Sequence, residues 1–204
     1  LSKKQRESML GKSYSKLGEY AKSIYKNLNF ELTNAQIKVL REIRTDFKSK
    51  KSMNRLIQGD VGCGKTIVSI LAGAIIVGNN AQVVIIAPTE ILAEQHFKTF
   101  NKYFSPYKLN CKLLISNLSK RDKEKIYKEL KEGNIKIIIG THALIQERVA
   151  FKNLGLVIID EQHKFGVDQR KKLIHKGQNP NILAMTATPI PRTLAFTIHG
   201  DMEI

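Results

Sequence analysis

Residues 56–70, LIQGDVGCGKTIVSI, put glycines and small residues between two apolar runs, with a lysine and a threonine at the second junction. Gly59, Gly62 and Gly64 free the backbone to take positive φ and leave no Cβ in the way of an incoming group. Gly59, four residues, then Gly64-Lys65-Thr66 is the spacing of the phosphate-binding P-loop, whose backbone N–H groups wrap phosphates at a helix N-terminus. On this reading Lys65 neutralises the β- and γ-phosphates of ATP and the Thr66 hydroxyl ligates Mg²⁺. The plain alternative is a glycine-rich turn that happens to precede Lys-Thr. The flanks weigh against it, because RLIQ reads as a strand end and TIVSILAGAIIV as a buried helix, the context a P-loop demands.

Working outward, 204 residues suffice for one sizeable α/β domain, or for one domain with an appendage. No apolar run is long enough to span a bilayer, and the first residues are polar and basic without a signal-peptide core. A soluble, intracellular protein with no membrane partner is therefore expected. A formal net charge of +16 favours a polyanionic partner through counterion release, although a lysine-rich surface alone can be just a solvated face. Cys63 and Cys111 cannot frame a metal site, and His96, His142, His163, His175 and His199 lack the spacing of zinc ligands, so no structural metal is predicted.

Residues 1–29 are lysine-rich, with Met9, Leu10, Leu17, Tyr20, Ile24 and Leu28 spaced to permit a helical face that Gly11 and Gly18 interrupt. The first residue is Leu1 rather than methionine, as expected of a piece of a longer protein. A second helix is predicted from Thr33, an N-cap residue with Gln36 three positions on, to about Phe47, followed by KSKKSMN as an exposed connection. Beyond it, β-branched runs at RLIQ, QVVIIAP, CKLLI, IKIIIG, LGLVIIDE and NILAMTAT alternate with helical patterns near 65–78, 89–103 and 119–131. Apolar strands joined by helices predict an α/β fold, a parallel sheet covered on both faces, with ligands at the carboxyl ends of its strands. Every conspicuous polar cluster follows a strand: Gly59–Thr66, Pro88–Glu90, Gly140–His142, Asp160–His163 and Thr186–Pro189.

Asp160 and Glu161 end one of these strands, where two buried carboxylates require a cation or hydrogen bonds. In a P-loop protein Asp160 would hold Mg²⁺ through its water shell, and Glu161 would orient or deprotonate the attacking water. Alone, Asp-Glu after a strand is equally a solvated loop. About 100 residues after a P-loop, with a strand before each, the pair points to nucleotide hydrolysis.

DEQH at 160–163 resembles motif II of superfamily 2 helicases, and MTATPIPRTLAFTIHGDMEI at 185–204 resembles motif III with the extension of the RecG branch-migration helicases. FELTNAQ is similar to their adenine-reading Q motif, GDVGCGKT to motif I, APTEILAEQH to motif Ia and GTHALIQ to motif Ic. The resemblance covers roughly residues 28–204. It implies a RecA-like P-loop NTPase domain over residues 30–204, the first motor domain of a helicase that remodels branched DNA, Holliday-type junctions and stalled forks. Residues 1–29 would be a helical linker from an upstream wedge domain, and a second RecA-like domain would follow. A bacterial-type, nucleoid-associated cytoplasmic location is implied with it.

Carried over by residue, the resemblance implies that Gln36 reads the adenine edge and Phe30 packs beside the base. A carboxamide offers adenine a donor and an acceptor, yet Gln36 is also the N3 half of a capping box. His163, Thr186 and Thr188 would couple hydrolysis to the DNA path, with His163 otherwise a hydrogen-bonded loop residue. Thr89 and Thr141 would contact DNA phosphates, aided by the N-termini of the helices that follow, or act simply as N-caps.

Three positions depart from the family pattern: Lys164 where arginine is usual, Ile115-Ser116-Asn117 where Thr-Gly-Ser is expected, and Cys63 in place of serine or alanine. Arg192, beyond motif III, is expected to serve structure or a domain interface. Rival readings are the matching domain of the transcription-repair coupling factor, which shares TATPIPRTL, a P-loop kinase, and a nucleotide-gated DNA-binding module with degenerate chemistry. With only part of the DNA track present and phosphates rather than base edges contacted, the resemblance implies weak, steeply salt-dependent DNA binding. Gel shifts at several salt concentrations check this, and a salt-insensitive or strongly sequence-specific complex would contradict it.

Overall fold

Six short runs rich in valine, isoleucine and leucine form the strands β1 (Asn54–Gln58), β2 (Gln82–Ile86), β3 (Lys112–Leu114), β4 (Ile137–Gly140), β5 (Leu154–Asp160) and β6 (Asn181–Thr186). The computed structural model describes residues 11–109 and 111–188. All the strands pair in parallel, in the order β1-β6-β5-β2-β4-β3. Every residue of β2, β4, β5 and β6 is buried, as a parallel sheet with both faces covered requires. Successive side chains alternate between faces: Val83, Ile85, Leu156 and Ile158 join one apolar cluster, and Val84, Ile86, Val157 and Ile159 join the other.

The helices are α1 (Glu19–Lys26), α2 (Asn34–Lys48), α3 (Lys65–Gly78), α4 (Glu90–Phe104), α5 (Lys120–Glu132) and α6 (Val167–Ile174). The first cluster draws on α1 to α4 through Ile24, Phe47, Ile76 and Phe100, the second on α5 and α6 through Leu130 and Leu173. Helix α3 is buried at every position from Ile67 to Val77. Each large aliphatic side chain so enclosed contributes on the order of 1.5–3 kcal/mol, which makes α3 the centre of its layer. Helix α2 begins as its capping box predicts: Gln36 N donates to Thr33 Oγ1 at 3.3 Å, and Thr33 N donates to Gln36 Oε1 at 2.9 Å. Arg55 fastens α2 to β1, with Nε donating to Asp46 Oδ2 and Nη1 to Glu42 Oε2, each at 2.7 Å.

Two local expectations are corrected. The connection after α2 is not exposed throughout, because Met53 is 4% exposed and its carbonyl accepts from Ile182 N at 2.7 Å. The backbone there is already joining the sheet. Among the described residues of the N-terminal segment only Glu19–Lys26 is helical, whereas residues 11–18 run along the domain. Gly11 N donates to Lys50 O and Tyr14 N to Phe47 O, each at 2.6 Å, and Tyr14 is buried with its ring edge-on to Phe47. Gly18 sets the helix start: its φ is +77°, and a Cβ there would lie 3.2 Å from the Gly78 Cα. Met9 and Leu10 lie outside the described residues.

Among the described residues no helix is long and apolar enough to cross a membrane. The cysteines are both free, Cys63 exposed and Cys111 buried. Burial pushes the Cys111 thiol up to about 12, so near neutral pH it is both covered and protonated, and the thiolate is the reactive form. A disulfide reagent at pH 8 should therefore label Cys63 alone in the folded chain and both thiols in denaturant. Rapid labelling of both in the native state would contradict this packing.

Candidate nucleotide site

The strand order brings three polar strand ends side by side, since β6 lies between β1 and β5. The loop after β1, the carboxylates after β5 and the threonines at the end of β6 therefore meet at one edge of the sheet. Thr186, 1% exposed, is their junction. Its carbonyl accepts from Gly59 N at 3.3 Å, tying down the start of the glycine loop. Its hydroxyl oxygen lies 3.1 Å from Glu161 Oε2, to which it donates, and accepts from Thr188 N at the same distance.

The glycine loop closes onto the N-terminus of α3. Gly62 and Gly64 take φ of +83° and +87°, and a Cβ on Gly64 would collide with the Gln36 amide. Glycine at 64 is thus favoured by the left-handed backbone, and any larger residue would also displace the Gln36 amide. Lys65 Nζ folds back inside the loop and donates to the Gly59 carbonyl at 2.5 Å and the Asp60 carbonyl at 2.9 Å. Thr66 follows in the first turn of α3, where the helix presents its unpaired N–H groups.

Asp160 ends β5 and is 9% exposed. Oδ1 accepts from Glu161 N at 3.0 Å, and Oδ2 lies 2.7 Å from His96 Nε2. Each oxygen keeps further accepting capacity. Glu161 has φ +46°, a left-handed conformation that costs a non-glycine residue on the order of 1–2 kcal/mol. What holds it is a set of contacts on its carboxylate: Ala187 N donates to Oε1 at 3.2 Å, the Thr186 hydroxyl to Oε2, and His163 Nδ1 lies 3.4 Å from Oε2. Among the described residues no three His, Cys, Asp or Glu side chains group to hold a metal. Thr66 and Asp160 offer hard oxygen donors, which suit Mg²⁺ because that ion keeps several waters and binds through one or two carboxylates plus substrate phosphates.

Gln36 fills the capping role read from the sequence and also reaches the glycine loop. Its Oε1 completes the cap of α2, while Nε2 donates to the Cys63 carbonyl at 2.9 Å, within the glycine loop. It lines an open cavity of about 330 Å³ with Phe30, Gly62, Gly64, Thr66 and Tyr103. Phe30 is 46% exposed, an apolar ring presented at a polar rim.

The segments read as a DNA track differ from one another. Thr89 is exposed and caps α4, its Oγ1 accepting from Leu92 N at 3.3 Å. Thr141 is 4% exposed, and the element after it is a single 3₁₀ turn, His142–Ile145, without a side-chain cap. The helix N-terminus expected to assist there is therefore much shorter than the one after Thr89. Ser116 N and Asn117 Nδ2 both donate to Glu90, at 2.9 and 3.0 Å, so the loop that departs from the family pattern is held by α4. Pro189, Arg192 and the rest of residues 189–204 lie outside the described residues.

The sequence reading gives His96 and Tyr103 no role in the site. A signal for His96 exists, since it sits in the stripe Ala93, His96, Phe100, Phe104 at helical spacing, three of whose members are fully buried apolar residues. A histidine in such a row points inward and needs a polar partner. Tyr103 carries no comparable signal, because its place in the cavity with Gly62 and Gly64 depends on distant packing.

Residues 33–196 match the family model described as DEAD/DEAH box helicase. The chain is 51% identical over 188 residues to the ATP-dependent DNA helicase RecG of Aquifex aeolicus, covering 91% of this chain and 24% of the relative. RecG of Bacillus subtilis is 48% identical over 202 residues, covering 99% of this chain and 30% of that one. A solved structure of RecG bound to a three-way DNA junction superimposes with a TM-score of 0.85 at 45% identity, over 98% of this chain and 28% of that one. The helicase domain of Hef from Pyrococcus furiosus, at 21% identity and a TM-score of 0.63, shares the fold. The chain thus spans between 24% and 30% of the length of these RecG proteins. With its parallel RecA-like sheet, its glycine loop and its Asp-Glu strand end, this chain belongs to the DEAD/DEAH box helicase family.

Proposed function

We propose that this chain is the first, ATP-binding motor domain of a RecG-type DNA helicase or translocase, which uses ATP hydrolysis to remodel branched DNA and stalled forks. The observation that carries the proposal is the junction at Thr186, where one residue hydrogen-bonds both the glycine loop and Glu161. Gly59, Gly62 and Gly64 shape the loop around the phosphates, Lys65 turns outward to the β- and γ-phosphates, and Phe30 and Gln36 hold the adenine. Thr66 and, through water, Asp160 would hold Mg²⁺, which would supply positive charge beside the phosphates. Glu161 orients the attacking water. His163, Thr186 and Thr188 pass the state of that site toward the DNA, which Thr89 and Thr141 meet through its phosphates. Residues 1–29 serve as a linker from a wedge domain, residues 30–204 form the motor domain, and a second RecA-like domain completes the cleft.

The transcription-repair coupling factor remains the nearer rival, and the identity of 45–53% to proteins named RecG favours the RecG reading. A small-molecule kinase has no use for the capped Gln36 or the threonines around Glu161, and hydrolysis stimulated by DNA would exclude it.

Titration of a fluorescent ATP analogue should show Lys65→Ala weakening binding, while Glu161→Gln preserves binding and lowers turnover. Equal affinity of wild type and Lys65→Ala would overturn the phosphate-loop assignment. Gln36→Ala should erase much of the preference for ATP over GTP, a change on the order of 1–3 kcal/mol for one lost bidentate pair, and should also loosen α2 by removing half of its cap. Competition between the two nucleotides, read beside the melting temperature, separates the effects. The 204 residues alone should hydrolyse ATP about 10³- to 10⁵-fold more slowly than a chain that includes a second RecA-like domain with its arginine finger. Equal rates would rule out the two-domain mechanism.

A further inference from the structure

His96 has no place in the site as read from the sequence, yet its ring nitrogen Nε2 lies 2.7 Å from Asp160 Oδ2. Both side chains are largely withdrawn from solvent, at 12% and 13% exposure. A carboxylate only accepts, so Nε2 carries the hydrogen of this bond. The ring is itself held: it stands on the inward stripe of α4, edge-on to Phe100 with centroids 6.5 Å apart. Glu161 N donates to the other oxygen at 3.0 Å, so the carboxylate is gripped at both ends and its plane is fixed. Two of its four accepting positions are taken, and two remain for water molecules of a hydrated cation.

We propose that His96 is a positioning residue for metal binding: its Nε2–H holds the Asp160 carboxylate in the orientation that receives the water shell of Mg²⁺. The proposal rests on the nucleotide-site reading above and deepens it. Without the imidazole, Asp160 can turn about its side-chain torsions, and it must then be ordered each time the metal arrives. A donor behind a metal-holding group typically governs affinity by about 10- to 100-fold. A ring that merely packed against Phe100 would affect melting alone.

The test titrates Mg²⁺ into the 204-residue chain with a fluorescent ATP analogue, and separately titrates the analogue in EDTA. His96→Phe keeps a ring in the apolar stripe and removes the donor, whereas His96→Gln keeps an N–H donor on a side chain of similar reach. The expected result is a Mg²⁺ midpoint at least about tenfold higher for His96→Phe, with metal-free affinity unchanged and the midpoint largely restored in His96→Gln. A His96→Phe midpoint equal to that of the wild type overturns the proposal, as does an equal rise in His96→Phe and His96→Gln. Should His96→Phe unfold by circular dichroism, His96→Ala replaces it and is read in the same way. Asp160→Ala serves as the reference. If it leaves the Mg²⁺ midpoint unchanged, the nucleotide-site reading itself fails. If it shifts the midpoint while His96→Phe does not, only the role of His96 is lost.

Discussion

The site depends on one strand pairing. β6 enters the sheet between β1 and β5, and its hydrogen bonds to both neighbours bring two loops that are far apart in sequence to either side of Thr186. The register runs Gln58 opposite Thr186 on one side and Asp160 opposite Met185 on the other, so the polar ends emerge level. In a parallel sheet every strand points the same way, which makes this convergence a property of the ladder itself. A one-residue slip of β6 would turn the buried Leu183 and Met185 toward the opposite helical layer, and the two apolar clusters enforce the register against it.

Around that pairing the polar groups are restrained rather than exposed. Glu161 sits in a backbone conformation that glycine would occupy freely, and it stays there through the Thr186 hydroxyl and the Ala187 amide. Strain of this kind persists only where the surroundings over-determine it. Lys65 is likewise folded onto the carbonyls of Gly59 and Asp60, and Gln36 onto that of Cys63. These side chains share one feature: each satisfies a neighbour within the protein at the carboxyl end of the sheet or in the loop after it.

Much of this was legible in the amino-acid order. The β-branched runs and the glycine loop announced the parallel sheet, and Thr33 with Gln36 announced the start of α2 almost to the residue, because those signals act over a few neighbouring positions. What escaped depends on distant packing. Met53 reads as part of a lysine-rich connection, and only the approach of Asn181 and Ile182 draws it inside. Leu17 and Tyr20 fit a helical face, but Gly18 between them must meet Gly78 closely, and that contact breaks the pattern. Thr141 resembles a helix cap locally, while the chain after it has room for a single 3₁₀ turn. His96 was visible as a polar residue in an apolar stripe, but nothing local to α4 names Asp160 as its partner.

Helix α3 lends the domain one further property. It begins at Lys65, is buried from Ile67 to Val77, and packs against α1, α2 and the strands β2 and β5. Such a helix has no free side along which to roll, and tilting it would open voids among close-packed aliphatic groups at a cost of about 24 cal/mol per Å³. The glycine loop is therefore continuous with a helix that is buried at every position from Ile67 to Val77. Displacement within the domain would be taken up more readily by parts with less around them, such as the half-exposed Phe30 rim or the edge strand β3.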